Sequence, residues 1–234
     1  MTTPQAARAE EARVREAYAR RRPGDRYAFS NPAHLFMMQE REAATLALLV
    51  RQGLLPLGDR DILEVGCGGG QWLLDFVRWG ARPDRLHGVD LLPERIAQAR
   101  RVCAPAVVLS RSGATALPYG DGTFDLVLQA TVFSSILDPA VRRAVALEML
   151  RVLRPAGVVL WYDLRMNNPS NPDVRGVDRD EIVALFPGCT AAVARVTLAP
   201  PLARLLAGRI PWLARALAVA PLLRTHWLGV LRRT

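Results

Sequence analysis

The chain has 234 residues, half of them hydrophobic, so it is long enough to bury a core and does not belong to the intrinsically disordered class. Its formal net charge is +9 and all 31 basic residues are arginine, which together with the abundant alanine indicates a composition bias rather than nucleic-acid binding. No uncharged apolar run approaches the ~20 residues that a membrane-spanning helix requires.

The cysteines and the first residues give further expectations. Cys67, Cys103 and Cys189 show neither an even count nor the spacing of metal ligands. The chain opens with the polar sequence Met1-Thr-Thr-Pro-Gln, which differs from a signal peptide. We therefore expect no metal site and a reducing, cytoplasmic location, with peripheral attachment to a membrane as the alternative.

The N-terminal part is predicted to be helical. Residues 5–22 are rich in alanine, arginine and glutamate, which favours an exposed arm, either a solvated charged helix or a lid. Asn31 can cap a second helix and Pro32 can occupy its first position, with the helix running to about Gln52. We assign residues 1–56 to this arm and helical cap.

From residue 57 onward, short apolar runs alternate with helical segments, which is the pattern of a parallel α/β sheet with right-handed crossovers. The core is assigned to residues 57–198 and its final strand to residues 224–234. The predicted strands cover residues 62–65, 86–90, 106–109, 124–129, 158–162, 190–198 and 225–231. The predicted helices cover residues 71–79, 93–102, 138–153 and 178–186.

The first strand ends in a run of glycines that indicates a ligand-binding turn. Ile62-Leu-Glu-Val65 is followed by Gly66-Cys-Gly-Gly-Gly70, and a helix restarts at Gln71. Glycines let a ligand approach the backbone closely, and the N-terminus of the next helix directs unpaired N–H groups at it. The dinucleotide fingerprint would need glycine at position 71, and a Walker A loop needs a lysine, which the chain lacks.

Three blocks of this sequence resemble one enzyme family. Glu64-x-Gly66-Cys-Gly-Gly-Gly70 resembles motif I of the class I S-adenosylmethionine (SAM)-dependent methyltransferases. Ser112-Gly-Ala-Thr-Ala-Leu-Pro118 with Asp121-Gly-Thr-Phe-Asp125, and Leu150-Arg-Val-Leu-Arg-Pro-Ala-Gly157, resemble blocks of the ubiquinone/menaquinone-type small-molecule group, methyltransferase type 11. The resemblance implies an α/β fold: a Rossmann-like, seven-stranded, mostly parallel sheet in the order 3-2-1-4-5-7-6. Helices would lie on both faces, with an N-terminal helical cap and a helical insertion before the last strand.

The resemblance also implies SAM as the cofactor and S-adenosyl-L-homocysteine (SAH) as its product. Asp90 ends the second strand 24 residues after Gly66, close to the ~20-residue offset at which a carboxylate meets ribose hydroxyls. In the family, the loop after the third strand binds adenine through a side-chain carboxylate and backbone amides, and here the carboxylate position is Gly113, a departure from the pattern. Three alternatives stay open: the Ala114 amide with packing from Leu91 or Leu117 holds adenine, the affinity is weaker, or the contact is supplied from elsewhere. The predicted cofactor contacts are Glu64, Gly66, Cys67, Gly68, Gly70, Asp90, Leu91, Gly113, Ala114 and Gln129.

Methyl transfer from a sulfonium is an in-line displacement, so the protein mainly orients donor and acceptor. A base is needed only when the acceptor loses a proton. Asp163, after the fifth strand, and His34, at the start of the cap helix, are the candidate bases. Structural roles are expected for His87 and His226. The predicted substrate contacts are Tyr18, Tyr27, Thr131, Phe133, Ser134 and Arg165, the last for an anionic acceptor.

Residues 199–223 form an insertion before the last strand, long enough for two short helices divided near Gly208 and Pro211. Arginine beside tryptophan and leucine, as around Trp212, is typical of an interfacial element. This composition suits a contact with a membrane or lipid-like substrate, a lid over the acceptor, or a homodimer surface, and the sequence leaves these open.

The predicted function is methyl transfer from SAM to a small-molecule acceptor, with an oxygen of a glycan-, quinone-, lipid- or polyketide-like compound favoured. An RNA methyltransferase is a competing hypothesis, because no Asp or Glu follows Glu181 while seven arginines do. The lack of a recognisable RNA module argues against nucleic acid as a partner. Aminopropyl transfer on the same fold is a second competing hypothesis, and a non-catalytic SAM-binding or membrane-surface protein is a third.

Overall fold

A computed structural model describes residues 3–20 and 28–234 of the protein. Its strands are β1 (Ile62–Val65), β2 (Leu86–Asp90), β3 (Val108–Arg111), β4 (Phe124–Ala130), β5 (Leu153–Leu164), β6 (Cys189–Leu198) and β7 (Arg224–Arg233). They form one sheet in the order β3-β2-β1-β4-β5-β7-β6, which confirms the predicted order. β7 runs antiparallel to both β5 and β6, and the other neighbouring strands are parallel.

The helices cover both faces of this sheet, as predicted. They are α1 (Pro4–Ala19), α2 (Pro32–Arg51), α3 (Gln71–Arg78), α4 (Pro93–Val102), α5 (Pro139–Val152), α6 (Arg179–Leu185), α7 (Pro200–Leu206) and α8 (Pro211–Ala218). On one face, Leu49 of α2 and Phe76 of α3 belong to a buried cluster with β-strand residues. On the other face, Met149 of α5 and Ile182 of α6 belong to a second cluster.

The organising strand is β1, whose four residues are all buried. It pairs in parallel with β2 on one side and with β4 on the other. After β1 the chain adds β2 and β3 on one side, and β4 and the later strands lie on the other side. The strand order therefore reverses beside β1. Ligands of open α/β sheets bind at such a switch point, outside the carboxyl ends of the strands.

Two strand boundaries differ from the prediction for reasons of pairing. β3 begins at Val108 rather than two residues earlier, because the Val107 amide is bonded to Ala104 in a turn and the ladder starts opposite His87. β5 begins at Leu153, which pairs with β4 before a shift in register, and regular pairing resumes at Val158. Such an irregularity can accommodate the proline and glycine that were predicted to separate helix from strand.

The cap and the insertion meet above the sheet. Asn31 Oδ1 accepts hydrogen bonds from the amides of Ala33 and His34, at 3.0 and 3.4 Å, which confirms the predicted cap. A third buried cluster contains Ala33 of α2, Ala203 of α7 and Ala214 of α8. Within residues 3–20 and 28–234, no helix combines the length and apolarity needed to cross a bilayer.

A buried ion pair holds the cap helix on the core. Arg41 Nη2 of α2 lies 2.7 Å from Asp75 Oδ2 of α3, and the guanidinium carbon lies 4.2 Å from the centre of the Trp72 ring. The two charged side chains are 11% and 3% exposed. Burial raises the pKa of Asp75, while Arg41 and the Gln71 side chain oppose that rise. The pair therefore offsets part of the cost of burying the Asp75 carboxylate.

Replacement of Arg41 by alanine should destabilise the protein by about 3 kcal/mol, because Asp75 would remain buried with only the exposed Arg78 side chain, 3.3 Å away, as its cation. The free energy of unfolding from guanidinium denaturation measures this effect. An Arg41→Ala, Asp75→Asn double variant should recover part of the loss. The exposed pair of Arg82 and Asp84 provides the control, and Arg82→Ala should leave stability unchanged. Equal losses of stability for Arg41→Ala and Arg82→Ala would contradict the role of the Arg41–Asp75 pair in holding the cap helix.

Candidate functional site

Three glycines shape the turn that follows β1. Gly66, Gly68 and Gly70 have φ values of 72°, 52° and 85°, in the left-handed region that favours glycine. A Cβ at Gly66 would overlap Val132, and one at Gly70 would lie 2.6 Å from Cys103 Sγ. A Cβ at Gly68 would have nothing within 4 Å. The backbone of Gly68 is therefore open to a ligand, while its neighbours pack against the core.

The structure brings the predicted ribose contact, Asp90, to this turn. Asp90 Oδ2 accepts a hydrogen bond from the Gly68 amide and Oδ1 accepts one from the Leu92 amide, both at 2.9 Å. Burial raises the pKa of Asp90, and the two amides counteract part of that rise. Each carboxylate oxygen keeps a further lone pair, so the group can also accept hydrogen bonds from two adjacent hydroxyls.

Two buried polar atoms at the ends of β1 and β4 have no hydrogen-bond partner among the described residues. They are Glu64 Oε2 and Gln129 Nε2, whereas Gln129 Oε1 accepts from the Val132 amide at 3.1 Å. Burial raises the pKa of Glu64 well above its usual range, and the Arg41 charge opposes this. Unpaired buried polar atoms are rare in folded proteins, and beside an open glycine turn they fit a polar ligand such as SAM.

The loop after β3 completes this side of the site. The Ser112 amide donates to the Asp90 carbonyl at 3.0 Å, so the loop lies beside the end of β2. Leu91 and Ala114 are half-buried there, and Gly113 contacts Glu11 of α1. In the turn itself, burial raises the pKa of Cys67, which fits a packed spacer rather than a thiolate nucleophile.

The arm helix α1 is docked at the same edge of the sheet and is not a solvated helix. Glu10 accepts a hydrogen bond from the Leu137 amide at 2.5 Å and one from Arg13 at 2.8 Å. Arg13 also donates to the Ser135 carbonyl at 2.5 Å. The Arg95 guanidinium lies 5.7 Å from the centre of the Tyr18 ring. Tyr18, a predicted substrate contact, thus lies near α4, and Tyr27 lies outside the described residues.

Three predicted site residues, Asp163, Phe133 and Ser134, lie in the interior. Asp163 is fully buried and accepts hydrogen bonds from the Ser134 and Leu164 amides, at 3.2 and 2.8 Å. Burial raises its pKa to about 6. Phe133 lies 4.8 Å from the Trp161 ring in the core, and Ser134 is 1% exposed. Asp163 holds the loop after β4 through the Ser134 amide. Its role as a base and the substrate contacts of Phe133 and Ser134 stay predictions.

The remaining candidates lie nearer the rim. Thr131 is half-buried with φ at 58°, and its amide donates to the Tyr162 carbonyl. Arg165 is half-buried and donates to the Arg224 carbonyl at 2.6 Å. His34 is half-buried, and burial followed by the Arg41 charge lowers its pKa, so its imidazole is neutral at pH 7. Among these residues His34 alone is a neutral base.

Sequence reasoning missed Arg41, Glu10 and Glu11. Arg41 follows His34 by two helical turns, so helical spacing places both on one face of α2, and this signal was available. Glu10 and Glu11 belong to a run of charged residues with no distinguishing pattern. No group of three or more His, Cys, Asp or Glu side chains that could hold a metal occurs in the described part of the chain.

A separate cavity lies between α2 and the insertion. Its volume is about 330 Å³, and its lining includes Phe36, Glu40, Arg215 and Arg224. An adjoining cavity of about 240 Å³ shares Glu40 and Arg224. No residue of the glycine turn lines either one, so these spaces are distinct from the cradle at Gly68.

Comparison with known proteins agrees with this geometry. A protein family described as a methyltransferase domain matches residues 62–157, which span the glycine turn, Asp90 and β4. These residues form a class I SAM-dependent methyltransferase domain. A phthiotriol/phenolphthiotriol dimycocerosates methyltransferase of Mycobacterium tuberculosis is 38% identical over 113 residues, which are 48% of this chain and 40% of the relative. The chain thus spans less than half of that relative's length.

Two solved structures have a fold similar to that of this chain. The 1,6-didemethyltoxoflavin-N1-methyltransferase of Burkholderia thailandensis, with bound 1,6-didemethyltoxoflavin and SAH, covers 100% of this chain and 92% of its own, with a TM-score of 0.63 and 17% identity. The [4+2]-cyclase SpnF covers 83% of this chain and 82% of its own, with a TM-score of 0.61 and 19% identity. These likenesses concern the fold.

Replacement of Asp90 by alanine should weaken binding of SAH by about 10- to 100-fold, because a charge-assisted hydrogen bond contributes roughly 1.5–3 kcal/mol. Titration calorimetry measures the affinity, and thermal melting of the variant shows whether it is folded. Glu94→Ala, which removes an exposed carboxylate from the first turn of α4, serves as the control. Unchanged affinity in a folded Asp90→Ala variant would rule out the ribose contact.

Proposed function

We propose that the protein transfers a methyl group from SAM to a small-molecule acceptor. The observation that supports this most directly is the convergence of the open Gly68 backbone, the Asp90 carboxylate and the unpaired atoms of Glu64 and Gln129 at the switch point. Bound SAM supplies a methyl group on a positively charged sulfur, which keeps the bonding electron pair when the methyl leaves. The family match over residues 62–157 supports the same assignment.

The residues of this site act by orientation. Asp90 would fix the ribose through its hydroxyls, and the Gly68 backbone admits close approach of the rest of the cofactor. Gln129 offers an unpaired N–H group from the end of β4. Holding donor and acceptor in line lowers the barrier by up to ~7–11 kcal/mol without any acid or base. The positive φ values of the turn and the buried anchors of Asp90 keep this geometry in place before substrate binds.

We infer that the acceptor atom is a hydroxyl oxygen and that His34 removes its proton. His34 is half-buried at the start of the cap helix, and its lowered pKa keeps the imidazole neutral and able to accept a proton at pH 7. A hydroxyl needs such a base, whereas an amine with a free lone pair does not. The mycobacterial relative carries a triol in the name of its substrate, which agrees with oxygen. The apolar side chains of the insertion favour a quinone-, lipid- or polyketide-like acceptor over a glycan.

Calorimetry followed by a transfer assay tests this function. Wild type should bind both SAM and SAH, and should move tritium from methyl-labelled SAM into a panel of apolar hydroxyl compounds. His34→Asn should retain SAH affinity but lose transfer, because only the proton acceptor is removed. Failure of wild type to bind either SAM or SAH would overturn the function. Full transfer by His34→Asn would overturn the base assignment alone.

The outer side of the insertion supports a second part of the proposal, contact with an anionic lipid surface. Leu205, Trp212, Val219 and Leu222 are 59%, 70%, 70% and 79% exposed. Exposed arginines accompany them, namely Arg204, Arg209 and Arg215, and no acidic residue follows Glu181. Apolar and tryptophan side chains beside arginine suit the boundary between acyl chains and anionic headgroups. An acceptor dissolved in a membrane would then be reached from its surface.

Sedimentation with vesicles tests this contact. Wild type should bind phosphatidylglycerol vesicles more strongly than neutral phosphatidylcholine vesicles, and added salt should weaken the binding. Trp212→Ser should reduce it, because a large apolar anchor is lost. Leu147→Ser, which alters a 47%-exposed leucine of α5, is the matched control. No binding, or equal binding by the Trp212 and Leu147 variants, would contradict the lipid contact, and a concentration-dependent dimer that depends on Trp212 would assign the face to self-association.

A further inference from the structure

The arm helix α1 presents one carboxylate to the loop that follows β3. A Cβ atom at Gly113 would overlap Glu11 Oε1, and its next two neighbours, at 3.2 and 3.9 Å, are the carboxylate carbon and the other oxygen of Glu11. The Glu11 carboxylate therefore occupies the space that a side chain at position 113 would fill. A carboxylate is present at this loop, although the loop itself does not provide it.

The position of Glu11 is fixed by the residues on either side of it. Glu10 is 8% exposed and accepts from the Leu137 amide, and Arg13 donates to the Ser135 carbonyl. Both bonds join α1 to the loop after β4. Glu11 itself is 27% exposed and lies 3.4 Å from Arg15, one helical turn further along. Its carboxylate is thus held at the rim of the site and remains accessible to a ligand.

The position of Asp90 indicates which part of the cofactor would reach Glu11. Two segments bond directly to Asp90, the glycine turn through the Gly68 amide and the 112–114 loop through the Ser112 amide. The carboxylate of the amino-acid chain of SAM suits the unpaired N–H groups at the start of α3, beside the glycine turn, which would leave the adenine to the 112–114 loop. Its exocyclic amine carries two N–H donors, and an ionised carboxylate is an acceptor only.

We propose that Glu11 accepts a hydrogen bond from the exocyclic amine of adenine and thereby selects the adenine-containing cofactor. The proposal rests on the proposed function and assigns part of the cofactor site to the N-terminal arm. Bound cofactor then holds α1 in its docked position, and docked α1 closes the adenine side of the site. Gly113 is required because any side chain there would compete with Glu11 for the same space.

Calorimetry with two ligands tests the selection. SAH carries the exocyclic amine, and S-inosyl-L-homocysteine carries a carbonyl oxygen in its place. Wild type should prefer SAH by about tenfold or more, since a carboxylate repels the carbonyl oxygen. Glu11→Gln should bind SAH about tenfold more weakly and lose most of the preference, because an amide both donates and accepts. Glu16→Gln, which alters an exposed carboxylate of the same helix, should behave as wild type.

A transplant of the carboxylate provides the second measurement. Glu11→Ala should lose affinity for SAH, and the Glu11→Ala, Gly113→Asp double variant should regain both affinity and preference, because the space at position 113 is open once Glu11 is shortened. If Glu11→Gln keeps the affinity and preference of wild type, or the double variant recovers neither, the inference is overturned while the proposed function stands. If wild type binds neither SAH nor S-inosyl-L-homocysteine, the inference and the proposed function are both overturned.

Discussion

The hydrogen bond from the Gly68 amide to the Asp90 carboxylate is the interaction on which the site depends. It joins the turn after β1 to the end of β2, and it forms only because Gly68 adopts a positive φ that other residues rarely take. The turn exposes the Gly68 backbone and directs the first amides of α3 towards the opening. The same bond, with the one from the Leu92 amide, holds the Asp90 carboxylate in place beside that turn.

Sequence predicted the sheet well because its signals are local. Short buried strands such as Ile62–Val65 bounded by glycine and proline, and caps such as Asn31, depend on neighbours within a few residues. The boundaries of β3 and β5 were less accurate, because they depend on partner strands: Val108 begins β3 where His87 offers a partner, and Leu153 pairs across an irregular stretch. The edge that carries the cofactor site followed from strand ends alone.

The side chains of the site were harder to predict. A strand end fixes where a residue lies, but its side chain can lie on either face of the sheet, and the Asp163 side chain, at the end of β5, is fully buried. Arg41 and Glu10 come from helices outside the repeating strand and helix unit. Their positions depend on how α2 and α1 dock on the finished sheet, through the ion pair with Asp75 and the bond to Leu137.

The docking of α1 has a consequence for the order in which the protein is made. The arm is synthesised before its partners Ser135 and Leu137, which follow it by more than a hundred residues. Helix α1 cannot dock until β4 and the loop after it have been synthesised, so it stays undocked while the chain is being made. The arm is thus synthesised before the contacts that fix it and docks after them. A nascent chain therefore contains the turn after β1 and the end of β2 before the arm can dock beside them.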